Sequence, residues 1–253
     1  AAKIFKQYGK KSIETVKENP YRLADDIWGI GFKTADTIAG RMGYGKEDPR
    51  RCRSGILYTL SELSDEGHVY GVREQLVSTA ETLLEAGREA ISAVLDDMVS
   101  NGDLKTEGEA IYLPPFYYAE CGTAGKIKRL LETPGPLVST EVDISRIEAE
   151  SGIHYDDVQI DAIRRAAESK VMVLTGGPGT GKTTTTQGII AAFKSMGLSV
   201  VLAAPTGRAA KRMTEATGLE AKTIHRLLEC KPPEGYQRND ENPIEGNALI
   251  VDE

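Results

Sequence analysis

The chain has 253 residues, of which 40% are hydrophobic and 27% are charged, and it is long enough for one large domain or two to three small ones. Its apolar runs are too short to span a membrane, and its first ten residues lack the apolar centre of a signal peptide. Three widely separated cysteines without a CxxC pair argue against a disulfide framework or a zinc site and favour a cytoplasmic protein.

The charge is unevenly distributed. The whole chain has a net charge of −7, whereas residues 1–51 contain 11 Lys and Arg against 7 Asp and Glu. A surplus of four basic residues is usually found on an ordinary solvated surface. It therefore indicates nucleic-acid binding only if a suitable motif lies in the same stretch.

Residues 1–47 contain such a motif. Short helical segments are interrupted by turn signals, and Gly29-Ile30-Gly31 predicts a tight turn that exposes backbone N–H groups at the start of a helix. A DNA phosphate can bind there without sequence preference, and Lys33 and Thr34 can add a charge and a hydroxyl. The same hairpin could also be a plain packing element.

Residues 48–118 predict three amphipathic helices followed by two short strands. This is the element order of a winged helix, although a small helical packing module has the same order. Residues 119–147 predict one connecting helix and a linker at Pro134-Gly135-Pro136.

Residues 148–253 alternate helices with apolar strands, which predicts a parallel sheet covered by helices on both faces. The predicted strands are KVMVLT, LSVVLAAP and ALIVDE, at residues 170–175, 198–205 and 248–253.

A phosphate-binding loop is expected between the first of these strands and the helix that follows. Glycines allow backbone N–H groups to turn toward phosphate oxygens, Lys182 can reach the β- and γ-phosphates, and the Thr183 hydroxyl can bind Mg²⁺. The residues expected to hold ATP are Gly177, Pro178, Gly179, Thr180, Gly181, Lys182, Thr183 and Thr184, within the pattern that begins at Gly176.

The strand at the end of the chain carries two adjacent carboxylates. After a phosphate loop, such a strand typically places Asp252 near Mg²⁺ and Glu253 near the water that attacks the γ-phosphate. A second carboxylate suits water activation, so the pair favours a hydrolase over a kinase.

Two basic segments follow the later elements of this region. The first, APTGRAAKRM, contains Arg208, Lys211 and Arg212, and the second, KTIHRLL, contains His225 and Arg226. Loops at such positions can grip a nucleic-acid backbone, although charge alone would equally predict a solvated basic helix face.

The segments GGPGTGKTTT, APTGRAAKRM, TIHRLL and LIVDE resemble, in this order and spacing, superfamily 1 DNA helicases of the RecD type. NPYRLADDIWGIGFKTADTIA is similar to the helix-hairpin-helix segment of RecD-like helicases that act outside the RecBCD complex. The resemblance extends over essentially the whole chain.

This resemblance implies ATP- and Mg²⁺-dependent 5′→3′ unwinding by two RecA-like domains, with single-stranded DNA and duplex ends as partners and a role in DNA repair. It assigns adenine recognition to Gln159. It assigns DNA contact to Pro205, Thr206, Gly207, Arg208, Thr223 and His225. Since relatives continue well past the Asp-Glu strand, we expect the chain to be part of a longer protein and to be inactive as an ATPase alone.

The expected fold is α/β with an α-rich N-terminal part: a helix-hairpin-helix segment, a winged-helix-like domain, and a partial RecA-like domain with a parallel sheet. Two other functions remain open from the residues alone. One is a DNA- or protein-docking module with a passive nucleotide site, and the other is a phosphate-loop ATPase that acts on RNA or protein.

Overall fold

The structure, a computed structural model, describes residues 2–133 and 141–252. The chain divides into two compact units, Ala1–Lys126 and Ile127–Glu253. The linker predicted at Pro134-Gly135-Pro136 and the carboxylate of Glu253 lie outside the described residues. Within those residues, no helix combines the length and the apolar character needed to cross a bilayer.

The first unit begins with short helices separated by turns, as predicted. They are α1 (Ala2–Tyr8), a 3₁₀ turn (Gly9–Lys11), α2 (Ser12–Glu18), α3 (Arg22–Asp26) and α4 (Phe32–Arg41). The turn at the Asn19-Pro20 pair is held by the Asn19 side chain, which accepts a hydrogen bond of 3.0 Å from the Tyr21 amide.

The rest of the first unit has the predicted order of three helices and a hairpin. Its elements are α5 (Pro49–Asp65), β1 (Gly71–Val72), α6 (Arg73–Leu84), α7 (Arg88–Ser100), β2 (Lys105–Glu107) and β3 (Ala110–Tyr112). The strands form one antiparallel sheet in the order β1-β3-β2. Helix α8 (Pro114–Glu132) follows and runs across the boundary between the two units.

One core joins both parts of the first unit. Phe32 of α4 stacks on Tyr58 of α5, with ring centroids 5.3 Å apart. Helices α5 and α6 approach closely at Gly55, where a Cβ would lie 2.6 Å from the Leu84 side chain. Arg51 of α5 links three helices, because it binds the Asp36 carboxylate of α4 through two nitrogens at 2.8 and 2.9 Å and the Leu84 carbonyl of α6 at 2.6 Å.

The second unit is α/β, which confirms the expected fold class. Its elements are α9 (Ile144–Ser151), α10 (Asp157–Glu168), α11 (Lys182–Ser195), β4 (Val200–Ala204), α12 (Gly207–Thr217), β5 (Ala221–Thr223), α13 (Ile224–Leu227), β6 (Cys230–Lys231), β7 (Gly235–Tyr236) and β8 (Ala248–Val251). Strands β5, β4 and β8 form a parallel sheet in that order, whereas β6 and β7 form a separate antiparallel hairpin.

The prediction of a strand at KVMVLT was wrong. Residues 171–174 are not a strand, although they keep an alternation typical of one: Met172 and Leu174 pack on the core of α9, α10 and α11, and Val173 is 80% exposed. A strand requires a hydrogen-bonded neighbour, and no strand of the described parts of the chain pairs with this segment. The apolar pattern therefore correctly indicated which side chains face the core. It did not indicate whether a neighbouring strand forms backbone hydrogen bonds with this segment.

Candidate nucleotide site and nucleic-acid contacts

The phosphate loop ends in two glycines with left-handed backbone. Gly179 has φ of +76° and Gly181 has φ of +78°, a conformation that strains residues with a Cβ. Gly181 is the N-cap of the 14-residue helix α11, and no side chain caps this end. The first N–H groups of α11 lack intrahelical partners, so this end can bind an anion.

Lys182 folds back onto the loop that precedes it. Its Nζ donates hydrogen bonds of 2.5 Å to the Gly176 carbonyl and 2.9 Å to the Gly177 carbonyl. The loop is closed further by Thr180, whose hydroxyl donates to the Gly177 carbonyl at 2.9 Å and would lie 2.6 Å from a Cβ on Gly176. The Lys182 ammonium thus lies against the backbone carbonyls of the loop.

Four threonines follow Lys182 at the start of α11, and the first three differ in their surroundings. Thr185 is buried and its hydroxyl donates to the Gly181 carbonyl at 3.1 Å, which supports the first turn of the helix. Thr184 is half-buried. Thr183 is exposed, and in the described ranges its hydroxyl has no hydrogen-bond partner, so it is free to bind a cation.

Gln159 lies against the end of the phosphate loop, 22 positions away along the chain. It forms a capping box at the start of α10: its N–H donates to Asp156 at 2.8 Å, and its side-chain oxygen accepts from the Asp156 N–H at 3.1 Å. A Cβ on Gly181 would meet Gln159 Nε2 at 2.5 Å. The capping box therefore orients the amide beside the loop and leaves Nε2 for a ligand.

Asp252 follows directly after β8. Its N–H donates to the Ala203 carbonyl at 3.0 Å, which continues the β4–β8 pairing by one residue. Its side chain is exposed, and no described hydrogen bond or ion pair joins it to the phosphate loop. The described residues contain no cluster of three or more His, Cys, Asp or Glu side chains able to hold a metal ion.

The residues expected to contact DNA after β4 are exposed at the start of α12. Pro205, Thr206, Gly207 and Arg208 are all accessible, and the Thr206 hydroxyl caps α12 by accepting from the Ala209 N–H at 3.2 Å. The Thr206 side chain is thus already engaged with the backbone, whereas Arg208 has no ion-pair partner in the described part of the chain.

The second expected segment repeats this arrangement after β5. The Thr223 hydroxyl caps the short helix α13 by accepting from the Arg226 N–H at 3.2 Å. His225 is exposed, and its ring lies 6.2 Å from that of Tyr236 on the β6–β7 hairpin. Sequence reasoning missed this hairpin, because its strands have only two residues each.

Parallel pairing brings these segments to one edge of the sheet. Ala204 pairs with Thr223, and Ala203 pairs with Val251, the residue before Asp252. The carboxyl ends of β4, β5 and β8 therefore meet, and ligands of open parallel sheets bind at such edges.

The Gly29-Ile30-Gly31 turn in the first unit has the geometry expected of it. Gly29 has φ of +85°, and Gly31 is the N-cap of α4 with its carbonyl accepting from the Thr34 N–H at 3.1 Å. Thr34 is exposed, whereas the Lys33 ammonium lies 5.6 Å from the centre of the Tyr58 ring. Sequence reasoning gave no role to Trp28, which precedes this turn and is 94% exposed.

Comparison with known proteins agrees with both halves of the chain. Residues 1–70 match the family described as the ATP-dependent RecD2 DNA helicase HHH domain, and residues 159–253 match an AAA domain family. The ATP-dependent RecD2 DNA helicase of Deinococcus radiodurans is 33% identical over 100% of this chain. The RecBCD enzyme subunit RecD of Mycobacterium tuberculosis is 38% identical over 37% of it, and the ATP-dependent DNA helicase dda of Enterobacteria phage T4 is 48% identical over 26%.

These alignments cover 37%, 21% and 15% of the three relatives, so the chain spans little more than a third of the length of the D. radiodurans protein. The two family matches lie in the order, and on the segments, that the sequence resemblance implied. The chain therefore belongs to the RecD-like family of DNA helicases.

Proposed function

We propose that this chain supplies the nucleotide-binding site and part of the DNA-binding surface of an ATP-dependent helicase that moves 5′→3′ on single-stranded DNA in the cytoplasm. The observation that carries the proposal is the shared edge of β4, β5 and β8. At this edge the two candidate DNA segments lie beside β8, which Asp252 directly follows. If a bound nucleotide reaches Asp252, a change at the nucleotide would move the residues proposed to hold DNA.

The residues present fit ATP. The left-handed glycines and the uncapped start of α11 suit a triphosphate, because side chains at Gly176 and Gly181 would fill the loop. Lys182 would exchange its two loop carbonyls for phosphate oxygens. Gln159 Nε2 beside Gly181 would donate to the base.

Mg²⁺ would accompany the ATP, with phosphates and water as most of its ligands. Mg²⁺ commonly takes only one or two protein groups at such sites. Thr183 and Asp252 are the candidates, since both are exposed oxygen donors. Bound Mg²⁺·ATP supplies a phosphoryl group whose transfer to water releases free energy.

Glu253 would orient that water and accept its proton. The Thr206 and Thr223 caps keep the two DNA segments rigid at the sheet edge, so that their exposed backbone and Arg208 and His225 can bind phosphates.

The test is ATP hydrolysis by this chain and by the chain extended to the length of its D. radiodurans relative, each with and without single-stranded DNA. We expect DNA-stimulated turnover from the extended protein and none from the chain alone. Stimulation by RNA in place of DNA would contradict the assigned substrate. Brisk turnover by the chain alone would contradict the view that further residues complete the site.

A further inference from the structure

Trp28 is an apolar side chain held out into solvent by an anchored turn. It is the single tryptophan of the chain and is 94% exposed, whereas Ile27 before it and Phe32 after the turn are buried at 7% and 4% exposure. Tryptophan offers one of the largest apolar surfaces of any residue, and its flat ring can stack on an aromatic ligand. The buried side chains of Ile27 and Phe32 thus anchor the backbone before and after Trp28, whose indole is exposed to solvent.

The surroundings of Trp28 favour a negatively charged ligand. The Lys3 ammonium lies 5.9 Å from the centre of the indole ring and would be 3.3 Å from a Cβ on Gly29. Lys3 has no carboxylate partner in the part of the chain that the structure describes. It therefore presents an uncompensated positive charge at the rim of the aromatic face.

Two carboxylates, Asp25 and Asp26, lie close before Trp28 in the chain. Asp26 accepts a hydrogen bond of 2.8 Å from the Tyr8 hydroxyl and lies 3.3 Å from Arg22. Burial and the neighbouring Asp26 raise the pKa of Asp25, and the nearby Arg53 and Arg22 oppose this effect. Arg22 and Arg53 thus partly offset the charge of the two carboxylates that precede Trp28.

We propose that Trp28 stacks on an unpaired base of a DNA strand, with Lys3 bound to a phosphate of the same strand. An exposed aromatic face beside a cation matches the two chemical parts of a single strand, a π-surface and a charged backbone. Bases inside a continuous duplex are already stacked on one another, so this contact selects single strands and duplex ends. The inference rests on the proposed function, because it assumes that DNA is the substrate.

The single tryptophan makes the proposal directly measurable by fluorescence. The chain is titrated with an oligothymidylate and, separately, with a covalently closed circular duplex. We expect the oligothymidylate to quench the Trp28 emission and the closed duplex to leave it unchanged. Unchanged emission while the oligothymidylate is shown to bind by anisotropy would overturn the proposal.

Variants separate stacking from general DNA affinity. Trp28→Ala should weaken oligothymidylate binding about five- to a hundredfold, the range that loss of one base–aromatic stack gives, while Trp28→Phe should keep most of the affinity. The matched control is Phe5→Ala, an exposed aromatic two positions from Lys3 and hence on a different face of α1, which should leave binding unchanged.

The outcomes distinguish this proposal from the proposed function. If Trp28→Ala binds oligothymidylate like the wild type while Gly31→Val binds more weakly, the stacking proposal fails and DNA binding at the turn stands. If the wild-type chain binds neither DNA at all, both the stacking contact and the DNA role of the first unit fail.

Discussion

The side-chain amide of Gln159 and the backbone of Gly181 are in such close contact that any side chain at position 181 would overlap it. A Cβ on Gly181 would lie 2.5 Å from Gln159 Nε2. Gln159 lies in the first turn of α10 and Gly181 is the N-cap of α11, so the packing of these two helices brings the base-binding candidate beside the phosphate loop.

Gly181→Ala should therefore strongly weaken ATP binding, because it combines left-handed strain with displacement of Gln159. The matched control is Gly197→Ala, which has φ of +74° and open space around its Cβ. Both changes should lower the free energy of unfolding by about 1–2 kcal/mol from strain. Binding of a fluorescent ATP analogue and thermal melting measure the two effects, and equal affinities for the variants would contradict the contact's role.

Gln159→Ala should lower the affinity for ATP and reduce any preference for ATP over GTP, since the amide is the candidate base contact. It also breaks the capping box, so Asp156→Ala is the control: it removes the other half of the cap at a cost of about 0.5–2 kcal/mol but keeps the amide. Competition binding with ATP and GTP separates the two. A loss of base preference in Asp156→Ala as large as that in Gln159→Ala would show that the cap alone matters.

Gly31→Val should weaken DNA binding without destabilising the protein. Gly31 has φ of −93° and open space at its Cβ position, so the fold tolerates a side chain there, whereas an approaching phosphate does not. Gly67→Ala is a suitable control, because it is strained at φ of +93° but lies far along the chain from the turn. Gly31→Val should thus lower the DNA affinity and keep the melting temperature, whereas Gly67→Ala should lower the melting temperature and keep the DNA affinity. An unaltered DNA affinity of Gly31→Val would show that the turn is only a packing element.

Asp36→Asn should destabilise the first unit by about 1.5–3 kcal/mol, the range for hydrogen bonds to charged groups. Burial alone would raise the pKa of the Asp36 carboxyl, but hydrogen bonds from Arg51 and Tyr21 outweigh it and hold that pKa below its ordinary value. A lowered carboxyl pKa stabilises the fold above the unfolded-state pKa, and this contribution is lost as the pH falls through the folded-state pKa.

The difference in stability between wild type and Asp36→Asn should therefore be constant near neutral pH and shrink as the pH falls below about 4, the ordinary carboxyl value. Denaturant unfolding at a series of pH values measures it. Asp96→Asn, which breaks an exposed ion pair with Arg73, should have a much smaller effect at every pH. A stability difference between the wild type and Asp36→Asn that grew as the pH fell would contradict a lowered pKa of Asp36.

Helices and turns were predictable from the sequence because their determinants are local. The spacing of apolar residues in α5, α7 and α10 and the glycines around the phosphate loop have consequences within a few positions. The strand at residues 171–174 failed because a strand depends on a neighbour that periodicity does not report. The position of Gln159 beside Gly181 depends on the packing of two helices, so only the family resemblance pointed to it.

The exposure of Trp28 could not be predicted from the sequence. Tryptophan is mostly buried on average, and nothing in its neighbours along the chain indicates exposure. Its solvation follows from the course of α3 and α4, which directs Ile27 and Phe32 inward and leaves Trp28 outside.

The most direct test of the central claim is equilibrium binding of ATP to this chain and to Lys182→Ala, with Lys194→Ala as the control from the exposed far end of the same helix. We expect measurable ATP binding that Lys182→Ala loses and Lys194→Ala retains, because only Lys182 lies against the loop carbonyls. Equal ATP affinity in all three proteins, or no binding by the wild type, would contradict the assignment of this loop as the nucleotide site.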